Sequence, residues 1–271
     1  MKKITVLIPC YNEEKGLGKV IDDIPVQRLE ELGYLTEIIV IDNNSTDRTK
    51  RVAKSRNVRI IHEGMKGKGN AMRTGFLAVS NDSKFVVMLD GDNTYKGREI
   101  LRMIEPLESN FCDVVIGSRL SGKMAHGSFK RRNRAANWFY TFLVRQIYRA
   151  NVTDVLSGYF AWKKDVVVKL LPHIRSRGFA IEMEMITKMV LLGCSIYSVP
   201  ITYDKREGES KLESVRDGIR ILGLLFVNFV WKPDITKSRK QILNNLVRRP
   251  LWTLKHSFKL INQYEKNSKS I

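Results

Sequence analysis

The chain is poor in the residues that staple small folds together. Its three cysteines, Cys10, Cys112 and Cys194, are odd in number and far apart, and its four histidines are isolated. No Cys or His spacing resembles a zinc site, so the cysteines are expected as reduced thiols of a cytosolic protein. Long apolar runs are also missing. The longest, residues 221–231, falls short of the roughly 20 residues that span a bilayer, and Asn228 interrupts it. The opening MKKITVLIPCYNEE is basic and then apolar, as a signal peptide is. Its apolar run is only strand-length and acids follow at once, which argues against a leader. Acids are scarce throughout: 28 Asp and Glu against 47 Lys and Arg leave a formal charge of +19. That imbalance points to polyanions, whether nucleic acid, acidic membrane or phosphorylated substrate.

What is present is an alternation. Short β-branched runs at residues 4–8, 37–41, 58–61, 84–89 and 113–116 read as strands. Helical patterns at 13–32, 46–55, 69–80 and 97–109 lie between them. Strands buried on both faces with helical crossovers predict a mostly parallel central sheet flanked by helices, an α/β fold. Ligands of such sheets bind outside the carboxyl ends of the strands. The polar motifs fall there: Pro9-Cys10-Tyr11-Asn12-Glu13, Asp42-Asn43-Asn44-Ser45, Asp90-Gly91-Asp92 and Gly117-Ser118-Arg119. Beyond them come a basic aromatic helix at 130–149, a helix at 178–192, a strand at 195–201, a polar loop at 203–211 and an apolar helix at 214–231. Residues 232–271 then hold ten Lys or Arg against Asp234 and Glu265.

In MLDGDNTY, an apolar strand ends in Asp90 and Asp92, one residue apart. Carboxylates this close disfavour joint ionisation unless a cation neutralises them. Hard oxygen ligands suit Mg²⁺ or Mn²⁺, and Mg²⁺ commonly takes one or two carboxylates together with substrate phosphates. A plain solvated turn is the alternative. A rival site, Gly67-Lys68-Gly69, follows a strand and opens a helix as a dinucleotide fingerprint does. Its third glycine position is Met72, however, and the Walker spacing is absent. Lys68 and Arg73 remain candidates for phosphate contact.

Taken in order, IPCYNEE, IDNNSTDRT, GKGNAMRTGF, MLDGDNTY, GSR, TDVLSGYFAW, GFAIEMEM and REGESKL resemble the motifs of family 2 glycosyltransferases of the GT-A fold. The closer likeness is to polyprenyl-phosphate sugar synthases, the dolichyl-phosphate mannose synthase group. The resemblance implies a catalytic domain at 1–213 and amphipathic basic C-terminal helices at 214–271. It implies that Pro9, Tyr11 and Glu13 border the nucleoside and that Asp42 lies near the base. It also implies that Asp90 and Asp92 hold Mg²⁺ or Mn²⁺ and the diphosphate, that Arg119 and Arg131 face the acceptor phosphate, and that Arg206 and Lys211 close over the donor. Asp92, Arg119 and Arg206 are the expected catalytic residues. Gly91 stands where Ala is frequent in relatives, which leaves nucleotide and sugar open. UDP-N-acetylglucosamine or UDP-glucose is favoured over GDP-mannose on general likeness.

The implied reaction is a single inverting displacement from a nucleotide sugar to dolichyl or polyprenyl phosphate. Such a phosphate is already ionised near neutral pH, its second pKa being about 6, and needs positioning more than a base. The alternatives are a sugar-hydroxyl acceptor in polysaccharide or glycolipid synthesis, or a binding module for nucleic acid using residues 130–149. In that segment Trp138, Phe139 and Phe142 sit at helical spacing and are expected in the core, which disfavours nucleic acid. Asp154 and Ser157 either shape their loop or line the acceptor site. Glu182 and Glu184, two apart on a helix, cannot share a face. One is expected at the site and the other in solvent. Residues 214–231 and 251–261 suit a membrane interface, and the basic tail suits anionic lipid. The expectation is a peripheral enzyme on the cytoplasmic face of the membrane. A helix packed on the domain, or on a second subunit of a homo-oligomer, stays open.

Overall fold

The computed structural model describes residues 1–208 and 214–232. In chain order the elements are β1 (Lys2–Cys10), α1 (Leu17–Asp22), α2 (Val26–Glu31), β2 (Tyr34–Asp42), α3 (Thr49–Lys54), β3 (Arg59–His62), α4 (Lys68–Ala78) and β4 (Ser83–Met88). They continue as α5 (Ile100–Glu108), β5 (Val114–Met124), α6 (Arg131–Tyr148), β6 (Phe160–Lys163), α7 (Lys164–Leu170), α8 (Ile181–Leu191), β7 (Ile196–Tyr203) and α9 (Ser214–Phe229). The strands form one sheet in the order β3-β2-β1-β4-β6-β5-β7. β6 runs antiparallel to β4 and β5, and the other strand pairings are parallel.

Side chains alternate across a strand, so a strand covered on both faces must be apolar at nearly every position. β4 shows this. Phe85 and Val87 enter one core layer with Ile4, Val6, Ile8 and Met103. Val86 and Met88 enter the other, with Phe76, Phe160 and Trp162. Both layers are sealed, and polar chemistry is left to the strand ends.

The structure departs from the sequence reading in several places. The helix expected over 13–32 is two short helices, because Pro25 sits at the start of α2 with ψ of 64°. Proline lacks the N–H that would continue α1 and disfavours a helical residue before it. β5 extends well past residue 116, with a register shift between Ser118 and Lys123, so Gly117-Ser118-Arg119 lies within it rather than after it. Trp138, Phe139 and Phe142 do not enter the core; they are 63%, 46% and 46% exposed. α6 turns Asn137, Thr141, Val144 and Tyr148 inward instead. α9 buries Ile221, Leu225 and Asn228, and Asn228 donates to Thr187 Oγ1 of α8 at 2.8 Å. Its opposite face, with Phe226, Val227 and Phe229, is exposed. Residues 233–271, including 251–261, lie outside the described residues.

Phe160 stacks on Trp162 with ring centroids 5.2 Å apart, and both are fully buried. Phe160→Ala is expected to cost about 3–5 kcal/mol, read as a lower urea midpoint at unchanged m. An unchanged midpoint would contradict the packing of β6 described above.

Candidate active site

The carboxyl edge of the sheet is shaped by asparagines. Asn12, Asn44 and Asn93 have φ of 54°, 64° and 64°, a left-handed conformation that Asn tolerates better than most side chains do. The loops after β1 and β2 are stitched together: Thr46 N–H donates to Asn12 Oδ1 at 2.8 Å, and Asn12 N–H to Ser45 Oγ at 3.0 Å. Asp90-Gly91-Asp92 crosses against the end of β1. A Cβ on Gly91 would lie 2.6 Å from Cys10 Sγ, and one on Gly158 would lie 2.2 Å from Asp90 Oδ2.

Each aspartate meets a cation. Lys68 Nζ, at the start of α4, lies 2.6 Å from Asp90 Oδ1 and 2.6 Å from Glu182 Oε1. Arg206 Nη2, after β7, lies 2.5 Å from Asp92 Oδ2, and its Nη1 lies 3.5 Å from Glu13 Oε1. Thr94 fixes the other oxygen of Asp92, donating from its backbone N–H at 3.0 Å and its hydroxyl at 2.5 Å. Thr94 therefore orients the carboxylate. Burial alone would lower the Lys68 ammonium, but Asp90 and Glu182 outweigh it and hold its pKa well above the usual lysine value. Burial raises the Glu182 carboxyl against the opposing pull of Lys68. Burial also works against the charge of Arg206, and Asp92 and Asp90 overcome it.

Two cavities open from this cluster. One, about 430 Å³, is lined by Pro9, Tyr11, Glu13, Asn43, Lys66, Asp92 and others. The second, about 620 Å³, is lined by Tyr95, Arg119, Lys130, Glu182, Lys205, Ile221 and others. Lys68, Asp90, Phe179 and Arg206 line both. The charged residues of the first balance: Lys66, Lys68 and Arg206 face Glu13, Asp90 and Asp92. The second has Lys68, Arg119, Lys130, Lys205 and Arg206 against Asp90 and Glu182 alone. Among the described residues, no cluster of three or more His, Cys, Asp or Glu is placed to hold a metal. Asp90 and Asp92 are hard oxygen donors of the kind that suits a divalent ion, and would hold it together with a bound diphosphate.

Pro9, Tyr11, Glu13, Asp90, Asp92 and Arg206 thus share the first cavity. Asp42 sits behind its wall, fully buried. Its oxygens meet His62 Nδ1 at 3.0 Å, Lys50 Nζ at 3.3 Å and Ser45 N–H at 3.3 Å. Arg119 lines the second cavity, gripped by Asp154 through Nε and Nη2, both at 2.8 Å. Its guanidinium lies over the rings of Phe129 and Tyr203 at 4.7 and 5.3 Å. Arg131 is exposed and lines neither cavity; the neighbouring Lys130 lines the second. Arg73 lines neither. Lys211 lies outside the described residues. Asp154 and Ser157 are structural: Asp154 also accepts from Asn137 Nδ2 at 2.6 Å, and Ser157 Oγ donates to Gly117 O at 2.6 Å. Of the glutamate pair, Glu182 faces the site. Glu184 is not in solvent but fully buried, accepting from Arg175 N–H at 2.9 Å, Ser176 N–H at 2.6 Å and Lys188 Nζ at 2.5 Å. Without those partners a buried carboxylate would be costly.

The glycines of Gly67-Lys68-Gly69 serve close backbone approach. A Cβ on Gly67 would lie 2.1 Å from Arg177 O, and one on Gly69 2.1 Å from Ser176 O. The motif seats the loop that carries Phe179. Sequence reasoning gave Lys66 and Lys205 no role, and named Asn43 only within Asp42-Asn43-Asn44-Ser45 and Lys130 only as the start of the basic segment 130–149. Each stands next to, or within two residues of, a site singled out by motif. Lys66 donates to Tyr11 Oη at 2.8 Å.

The pattern described as Glycosyl transferase family 2 matches residues 5–171. The chain belongs to this family. It is 32% identical over 228 residues to glycosyltransferase AglJ of Haloferax volcanii, covering 83% of this chain and 70% of that one. It is 30% identical over 219 residues to the dolichyl-phosphate hexose transferase of the same organism, covering 80% and 90%. Among solved structures, glucosyl-3-phosphoglycerate synthase of Mycobacterium tuberculosis superposes with a TM-score of 0.66 at 20% identity, covering 86% of this chain and 82% of that one. That structure holds Mn²⁺, UDP and glucosyl-3-phosphoglycerate. The likeness shows that this family 2 glycosyltransferase has the GT-A fold.

The place of Gly91 between Asp90 and Asp92 gives a test. Gly91→Ala should destabilise the chain by about 1–3 kcal/mol, as overpacking does, because the added methyl meets Cys10 Sγ. Cys10→Ala in the same chain should recover most of the lost melting temperature. Failure to recover would place the strain elsewhere.

Proposed function

We propose that the chain moves a sugar from a nucleotide-diphosphate sugar to the phosphate of a polyprenyl or dolichyl phosphate, with inversion at C1. The observation that carries this reading is the second cavity, cation-rich and sharing a wall with Asp90 and Arg206. An acceptor that must be held there is an anion. A sugar-hydroxyl acceptor would need a base, and the candidate carboxylates Asp90 and Glu182 are both tied to Lys68. A phosphate, ionised already, needs only orientation, which costs less at the moment of reaction. The dolichyl-phosphate hexose transferase among the relatives supports the same acceptor class.

In this reading the first cavity takes the donor. Tyr11 and Lys66 border the nucleoside, and Arg206 neutralises the leaving diphosphate. Mg²⁺ or Mn²⁺ held by Asp90 and Asp92 would supply electrophilic stabilisation of that diphosphate. Arg119, held by Asp154 through Nε and Nη2, meets the acceptor from the wall of the second cavity, with Lys130 and Lys205 on the same wall. UDP-glucose and UDP-N-acetylglucosamine are the first donors to try, ahead of GDP-mannose.

The acceptor is a membrane lipid, and no helix among the described residues is long and apolar enough to cross a membrane. In this reading the chain meets that lipid peripherally, on the cytoplasmic face. The exposed stripe of α6 has Trp138 and Phe142 at its centre, stacked at 6.0 Å, with Arg134, Arg145 and Arg149 exposed around them. Aromatic rings flanked by cations suit an anionic bilayer surface. The exposed Phe226, Val227 and Phe229 of α9 suit the same surface, and the basic composition of residues 232–271 suits anionic lipid.

The decisive experiment incubates the full chain with a panel of nucleotide sugars, a short-chain polyprenyl phosphate and Mn²⁺ or Mg²⁺, and identifies the product by mass. The expected product is a glycosyl phosphoryl lipid. Asp92→Asn should slow its formation about 100-fold or more while the chain stays folded, and chelation should do the same. Transfer only to sugar hydroxyls, or full activity in chelator, would overturn the reading.

The double substitution Trp138→Ala with Phe142→Ala should weaken sedimentation with phosphatidylserine vesicles about 10-fold or more and leave nucleotide binding unchanged. Equal sedimentation would remove α6 from the membrane contact.

A further inference from the structure

Two arginine–aspartate pairs stand at the cavities, and they are built differently. Arg119 meets Asp154 through Nε and Nη2, both aligned at 2.8 Å, with both side chains buried. A sealed, bidentate pair of this kind is fixed. Arg206 Nη2 lies 2.5 Å from Asp92 Oδ2, and its side chain is 30% exposed. Asp92 Oδ2 is buried, yet among the described residues no hydrogen bond is aligned with it. The contact is one of charge without direction. A buried carboxylate oxygen without an aligned donor is costly, and it marks a place that another partner fits better.

The two partners also differ in freedom. Asp92 cannot turn, because Thr94 holds its other oxygen through the backbone N–H at 3.0 Å and the hydroxyl at 2.5 Å. The backbone around Arg206 is held as well. Glu207 N–H donates to Asp92 O and Asp204 N–H to Thr94 O, both at 2.9 Å. Lys19 Nζ lies 2.7 Å from Glu207 Oε1. The side chain of Arg206 is therefore the part that can shift. It lines both cavities, so it can leave Asp92 and still face a phosphate.

Charge decides when it leaves. With Arg206 counted, the first cavity is balanced, Lys66, Lys68 and Arg206 against Glu13, Asp90 and Asp92. A divalent ion entering alone would upset that balance and meet the guanidinium over the same oxygen. An ion entering with a nucleoside diphosphate brings its own anion, and the anion offers the guanidinium a new partner. We infer that Arg206 is a built-in counter-ion of Asp92. It keeps a divalent ion off that oxygen until a diphosphate draws the guanidinium away, so metal and nucleotide bind together. The inference rests on the metal-holding role given above to Asp90 and Asp92.

The test reads binding, not turnover. Free Mn²⁺ is followed by electron paramagnetic resonance as the full chain is titrated, alone and with UDP or GDP. The parent should bind Mn²⁺ weakly by itself, and the better nucleotide should raise that affinity about 10-fold or more. Arg206→Ala should bind Mn²⁺ alone about 10-fold more tightly than the parent, as removal of a unit charge from beside the ion dictates. The nucleotide should then add correspondingly less, since the coupling is reciprocal. Lys66→Ala is the control. Lys66 lines the same cavity but is exposed and donates to Tyr11 Oη. Its charge is screened, so its loss should change affinity for Mn²⁺ alone by about 2-fold at most. An Arg206→Ala chain that binds Mn²⁺ alone no better than the parent would overturn the inference. An equal gain in Lys66→Ala would also overturn it, because the total charge of the cavity, not the contact on Asp92, would then oppose the ion. If Arg206→Ala fails to fold, Arg206→Gln takes its place under the same outcomes. A parent that binds no Mn²⁺ even with nucleotide present would sink the metal role of Asp90 and Asp92, and the inference with it.

Discussion

Two carboxylates one residue apart at a strand end repel each other, and the surrounding structure answers that repulsion. Lys68 comes from the start of α4 and Arg206 from the loop after β7. These elements are far apart in the chain and belong to different parts of the fold. Bringing both cations to one edge requires the sheet order in which β4 lies between β1 and β6. It also requires close backbone crossings, which is why Gly91 and Gly158 pack so tightly against Cys10 and Asp90. A two-charge problem at the end of one strand thus constrains residues across most of the sheet.

Much of this was legible from the sequence. Apolar runs with period-two burial on both faces give strands, and the helical stretches between them give parallel crossovers. The polar motifs then mark one edge. The family 2 assignment needs the motifs in order, and they are in order. What was not legible has physical reasons. The break between α1 and α2 turns on Pro25 alone. β6 is four residues long, and its insertion antiparallel between β4 and β5 depends on partners distant in the chain. The exposed aromatics of α6 have the spacing of a core stripe; whether such a stripe faces inward depends on where the helix lies relative to the sheet. Glu184 looked like a solvent residue because its partners, two backbone N–H groups and Lys188, are set by a loop conformation that composition cannot show.

Asn43 and Asp42 make the same point at the scale of one residue. Both follow the apolar part of β2, and a motif reading favours the acid. The pleat turns Asp42 inward to His62 and Lys50, while Asn43 lines the cavity. Asn43 also donates to Met65 O at 2.7 Å and accepts from Gly67 N–H at 2.6 Å, fixing the turn that leads into Lys68. The residue at the cavity wall and the residue that positions the cation are therefore linked through one amide side chain.

Charge changes along the line joining the two cavities. The first is balanced as it stands, so a divalent ion and a diphosphate can enter together without leaving a large net charge. The second carries three more cations than acids among the side chains that line it. An anion is favoured there whether or not the first cavity is filled. Lys68, Asp90, Phe179 and Arg206 line both cavities and form the wall they share. In the proposed reading the donor takes the balanced cavity and the acceptor the cationic one, so the charges that would hold each are separated by this common wall rather than mixed in one pocket.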